Sequence, residues 1–119
     1  MIKKKQKEPL NFLKMIPEKC YEWEKNAYGL AVILKPKFSF PLLRKHLVPR
    51  LKHPYFKISL DEKGSFLWEH IDGYRTIEEL SQMFKARFGD KAEPLFERLR
   101  LFFQQLEHNC FIRYSQLKN

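Results

Sequence analysis

Between Tyr55 and Leu106 the hydrophobic positions change period once, from that of a strand to that of three successive helices. Tyr55 to Leu60 alternates, with Phe56, Ile58 and Leu60 on one side and Tyr55, Lys57 and Ser59 on the other, which predicts a strand. Phe66, Leu67 and Ile71 then recur at helical spacing with Trp68 beside them. Asp61 is placed to cap that helix, and Gly73 to follow its end in the left-handed conformation that glycine adopts without steric cost. Thr76 and Glu79 form a capping box, in which the hydroxyl accepts from the backbone ahead and the carboxylate accepts from the backbone behind. They open a second helix from Thr76 to about Phe88, with a stripe of Ile77, Leu80, Met83 and Phe84, closed by Gly89. A third helix is expected from about Lys91, with Pro94 in its opening turn and a stripe of Leu95, Leu99, Phe102, Phe103 and Leu106.

Upstream, Lys19 to Lys25 alternates weakly and reads as a half-exposed strand. Tyr28 to Leu34 is rich in apolar and β-branched residues and reads as a buried strand. Lys25-Asn26-Ala27 is the turn between them, so the two form a hairpin. Residues 1–16 read as a basic flexible arm, which Asn11-Phe12-Leu13 and Met15-Ile16 could dock and which Pro17 ends. Residues 36–54 hold four prolines, which argues against a central strand there; Leu42 to Leu47 fits a short helix. Phe111 to Tyr114 returns as a short extended piece. The expected fold is α+β of winged-helix type, a small three-stranded antiparallel sheet followed by three helices. It forms a single domain over residues 17–119 with 36–54 as a proline-rich basic insertion.

Leu60-Asp61-Glu62 with Gly64, Trp68-Glu69, Ile71-Asp72-Gly73, and Arg75-Thr76 with Glu79 together resemble the signature of the PqqD family. These are small proteins related to the chaperone of pyrroloquinoline quinone biosynthesis. The resemblance runs from about Tyr55 to Ile112. It implies the fold of the recognition elements that hold the leader of a ribosomal precursor peptide for a modifying enzyme, of the radical type where a maturase is the partner. It further implies that the leader adds as a strand at Tyr55, Phe56, Lys57 and Ile58 and lies against a helix at Leu95, Arg98, Leu99 and Phe102. Lys57 and Arg98 would then face acidic leader residues. The same helix residues also suit the core, and for Leu99 and Phe102 the core reading is the stronger. The sequence departs from the family pattern in its long proline-rich connection before Tyr55 and its long basic N-terminus.

Composition narrows the partners. The 119 residues carry a formal charge of +9, and the excess is all in the first half. Residues 1–57 hold 14 Lys and Arg against 4 Asp and Glu, and residues 58–119 hold 9 against 10. Such asymmetry suits an anionic partner, whether an acidic peptide or a nucleic acid, and also a solvated tail. Arg44, Lys45, Arg50 and Lys52, interleaved with Phe38 and Phe40, are the candidate basic patch; the aromatics could equally pack the loop onto the core. A winged-helix nucleic-acid binder is therefore the alternative function, although Glu93, Glu97 and Glu107 make the third helix a poor face for phosphates.

Catalytic chemistry is not expected. His46, His53, His70 and His108 share no metal-ligand spacing, and no CxxC pair or phosphate-cradling glycine loop occurs. Cys20 and Cys110 read as small buried hydrophobes with reduced thiols, in keeping with a cytoplasmic protein. Glu78 and Glu79 are explained by the helix dipole and the capping box. Neither a cofactor nor a metal is implied. No secretory signal or apolar run long enough to cross a bilayer is read, so no membrane role is expected.

Overall fold

The structure is a computed structural model and describes residues 9–37 and 54–115. Its elements are α1 (Pro9–Lys14), β1 (Ile16–Lys19), β2 (Glu22–Lys25), β3 (Ala31–Pro36), β4 (Tyr55–Ser59), α2 (Glu62–His70), α3 (Ile77–Phe88), a 3-10 turn (Gly89–Ala92), α4 (Leu95–His108) and β5 (Ile112–Ser115). The fold is α+β, with small antiparallel sheets and several helices in the element order of the winged-helix type. The described residues fall into two compact units, one of 21–37 with 54–66 and one of 9–20 with 67–115, and the boundary lies within α2.

In the first unit, β2, β3 and β4 form an antiparallel sheet in that order. Glu22 stands opposite Leu34, and Ile33 stands between Trp23 and Ile58. Ala31, Val32 and Ile33 are the buried residues of the central strand. The hairpin turn is longer than the sequence suggests. Asn26 Oδ1 accepts from the N–H groups of Tyr28 and Leu30 at 2.9 and 3.0 Å, and Gly29 takes φ +78°. That side-chain ring holds Tyr28 in the turn at 86% exposure, so the expected buried strand begins three residues later. Ser65 is the buried polar residue of this unit: its Oγ accepts from Ala31 N at 2.8 Å and donates to Leu60 O at 3.2 Å. Asp61 Oδ1 accepts from Gly64 N at 2.8 Å, the cap expected at the start of α2.

In the second unit, β1 pairs with β5, from Ile16 opposite Ser115 to Lys19 opposite Ile112. The single strand expected over Lys19 to Lys25 is thus divided at Cys20 and Tyr21, and its two parts belong to different sheets. Pro17 does not end the N-terminal piece; it lies inside β1. It can do so because its position points its missing donor away from β5, and its carbonyl accepts from Gly73 N at 3.2 Å. Met15 O accepts from Ile77 N at 2.9 Å, so the outer side of β1 is satisfied by the segment joining α2 and α3. Within the stretch expected as a flexible arm, Pro9–Lys14 is helical and Phe12 is 7% exposed, its ring edge-on to Phe96 and Phe103 at 5.8 and 6.4 Å. Trp68, Ile77, Leu80, Phe84, Leu99 and Phe103 make the core. The capping box at Thr76 and Glu79 is formed as expected. The third helix starts at Leu95 rather than Lys91, with Pro94 as its N-cap residue and a 3-10 turn before it.

Candidate functional site

The strand β4 carries the candidate edge. Its ladder to β3 is bracketed by two hydrogen bonds, Leu60 N to Ala31 O at 2.9 Å and Lys37 N to Pro54 O at 3.1 Å. Antiparallel pairs alternate between bonded and non-bonded, so Phe56 and Ile58 spend their backbone groups on β3. Tyr55, Lys57 and Ser59 point their N–H and C=O groups the other way. No other described strand pairs with that side of β4. An extended peptide adds to such a row of donors and acceptors spaced two residues apart. The sequence reading missed Ser59, because hydrogen-bond phase depends on which residue of β3 lies opposite.

The side chains around this edge are accessible. Tyr55 is 38% and Phe56 54% exposed, Lys57 is exposed and Ile58 half-buried. Lys57 Nζ lies 3.4 Å from Glu24 Oε2, and Lys37 Nζ sits 5.4 Å from the centre of the Phe56 ring. Two cations and an open aromatic ring therefore stand on one strand and its neighbour, a surface suited to acidic and aromatic side chains.

On α4 the four nominated residues divide. Leu99, nominated for the groove although its core reading was the stronger, is 1% exposed and belongs to the core; it falls on the buried face with Phe103 and Leu106. Leu95, Arg98 and Phe102 are half-buried. Arg98 donates from one terminal nitrogen to Glu93 O at 3.2 Å, while its buried Nε has no hydrogen-bond partner. Phe102 packs edge-on to Phe103 at 5.3 Å. Leu101, 55% exposed, is a large apolar side chain on α4 that the periodicity did not single out. Arg44, Lys45, Arg50 and Lys52, with the short helix expected at 42–47, lie outside the described residues.

A second feature was not foreseen. A cavity of about 850 Å³ is lined by Lys14, Glu18, Lys19, Asp72, Tyr74 and Thr76, among others. Burial lowers the pKa of Lys19, against Asp72 and Glu69, which raise it, and its ammonium lies 5.7 Å from the Trp68 ring centre. Desolvation pushes the Asp72 carboxyl up, but N–H donation from Arg75 and Tyr74 and the Arg75 charge outweigh it and hold it below its ordinary value. Those bonds are 2.9 Å each. With Ser115, which also lines it, the wall residues come from three separate stretches of sequence, so no local motif announces them. Cys20 and Cys110 are both exposed, which corrects their reading as buried hydrophobes. No group of three or more metal-ligating side chains occurs among the described residues, and none of their helices is long and apolar enough to cross a membrane.

Comparison with known families gives one match. The family model described as coenzyme PQQ synthesis protein D (PqqD) matches residues 55–112. Over that span the chain is similar to the PqqD family. The matched PqqD segment starts at the first residue of β4 and ends at the first of β5, so it takes in the candidate edge and every helix from α2 to α4. No curated protein and no solved structure gives a match. PqqD is an accessory family without catalytic function of its own.

Proposed function

We propose that this protein is a non-catalytic chaperone that binds a ribosomal precursor peptide and presents it to a modifying enzyme. Involvement in coenzyme PQQ synthesis is the coarse function that the PqqD match supports. Peptide presentation is the finer reading, and the outward backbone row at Tyr55, Lys57 and Ser59 carries it. The peptide adds as a strand there, with Tyr55, Phe56, Lys57 and Ile58 supplying side-chain contacts. Leu95, Arg98 and Phe102 are proposed as further contacts on α4, and Leu99 supports them from the core. Lys57 and Arg98 select acidic residues, and the partner enzyme is a radical-type maturase.

The test is titration of the full chain with a synthetic acidic leader-like peptide, followed by backbone amide NMR. Binding should move the Tyr55, Lys57 and Ser59 amides most. Lys57→Pro removes one outward N–H and leaves the β3 ladder its bonds, a place where an edge strand accepts proline. It should weaken binding roughly tenfold, about the worth of one backbone hydrogen bond. Lys57→Glu, which leaves the backbone alone, should weaken an acidic peptide and favour a basic one. A peptide that moves none of these amides sinks the reading.

Charge asymmetry favours a second reading, nucleic-acid binding through Arg44, Lys45, Arg50 and Lys52. A duplex mobility shift at low salt that those four neutralised together abolish would favour it over the first.

A further inference from the structure

The chain's two cysteines, Cys20 and Cys110, are ninety positions apart in sequence. The β1–β5 ladder brings them to one end of one ribbon. Its last pair is Lys19 opposite Ile112, and Cys20 N–H continues it by donating to Phe111 O at 2.9 Å. Cys20 therefore stands opposite Phe111, and Cys110 is the next residue along. Opposed Cα atoms of a bonded antiparallel pair lie about 5.5 Å apart and consecutive ones about 3.8 Å. The two cysteine Cα atoms are then within about 9 Å; a disulfide spans roughly 4.4–6.8 Å, so the bond forms with a shift of the turn at Cys110 wherever they stand more than about 7 Å apart. Cys110 sits in the turn after α4 at φ +63°, where it is the one described residue other than glycine with positive φ. Both thiols are exposed. The titratable groups that act electrostatically on Cys20 are Arg113, Glu18 and Cys110 itself.

We propose that Cys20 and Cys110 are a dithiol pair that closes to an intramolecular disulfide when it meets a low-molecular-weight disulfide such as oxidised glutathione. One cysteine thiolate attacks a sulfur of the small disulfide, forming a protein–glutathione disulfide and expelling one glutathione thiolate. The second cysteine thiolate attacks the protein sulfur and expels the other glutathione. The protein dithiol loses two electrons and two protons, and the small disulfide is reduced to two thiols. The bond ties the end of β1 to the turn before β5, across one end of the ribbon's ladder. Burial keeps the Cys20 thiol above its ordinary pKa, with Arg113 opposing that and Glu18 and Cys110 adding to it, so closure should quicken as the pH rises. A cysteine at positive φ has a conformational reason to accept a turn altered by the bond.

The experiment treats the reduced full chain with oxidised glutathione and reads intact mass, peptide maps and rate, in buffer and in urea. Native protein should lose two hydrogens in mass, yield a Cys20–Cys110 linked peptide, and close at least about tenfold faster than the unfolded chain, because the fold raises the effective concentration of one thiol at the other. Cys20→Ser and Cys110→Ser should each stop at a single stable glutathione adduct. Stable adducts on the wild-type chain, linkage between two copies, or closure no faster in buffer than in urea would each overturn the proposal. None of these outcomes depends on whether a peptide binds at β4.

Discussion

Ser65 shows how much a single hydroxyl can settle. It is 3% exposed and joins the start of β3 to the residue after β4, accepting from Ala31 and donating to Leu60. Ser65→Ala leaves the buried Ala31 N–H without its acceptor, and an unsatisfied buried donor costs about 1–3 kcal/mol. Urea denaturation should show a loss of that size, whereas Ser81→Ala, which removes an exposed hydroxyl bonded to Glu78 O, should fall within about 0.5 kcal/mol. Asp72 gives a second residue-scale prediction. Its folded-state pKa is depressed, so its ionised form stabilises the fold above the unfolded pKa and that contribution is lost as pH falls through the folded value. Asp72→Asn should therefore be less stable than wild type at neutral pH and approach it in acid. Asp72 is exposed, so the neutral-pH gap should stay near or below about 1 kcal/mol. Thermal denaturation of both proteins over a pH series reads the difference.

At the scale of the element, β4 is the one whose role follows from its neighbours. Alone, YFKIS is a short mixed strand with four of five residues exposed. Placed at the edge of the β2-β3-β4 order, it becomes a backbone template whose phase β3 fixes. The binding variants at Lys57 belong to this scale, because they alter the edge and leave the ladder. The capping box of α3 is the contrasting case. Thr76 Oγ1 accepts from Glu79 N at 3.1 Å and Glu79 Oε1 from Thr76 N at 2.9 Å, a local arrangement written in four consecutive residues. Thr76→Ala should cost about 1 kcal/mol in chemical denaturation, with no change in peptide binding.

For the molecule as a whole, charge is the property that spans both units. The first 57 residues carry the basic excess, and Lys37 and Lys57 bring part of it to the candidate edge. Attraction of an acidic peptide to these exposed cations is screened over a Debye length of about 10 Å at 0.1 M salt. Affinity should fall as salt rises, mainly through the association rate. A neutral peptide of the same length should be nearly insensitive, because backbone pairing carries no net charge. Stopped-flow titrations of the two peptides at several salt concentrations measure both slopes, and equal slopes would remove charge from the recognition.

The sequence by itself determined what is local. The cap at Asp61, the box at Thr76 and Glu79, the glycine at positive φ after α2 and the stripe of α4 all rest on residues within a turn or two of each other. The PqqD signature was readable for the same reason, since its motifs are the punctuation of consecutive elements. Side-chain periodicity also placed β4, yet it could not tell which of its backbone groups face outward. Only the tertiary structure decided matters that need partners far along the chain. It divided the expected first strand between two sheets, seated Pro17 in a strand beside Gly73, decided between groove and core for Leu99 and opened the cavity beside Lys19. It set Cys20 beside the residue after Cys110. Each of these depends on strand register and on which face of a helix meets a neighbour, and neither is encoded in the period of a single segment.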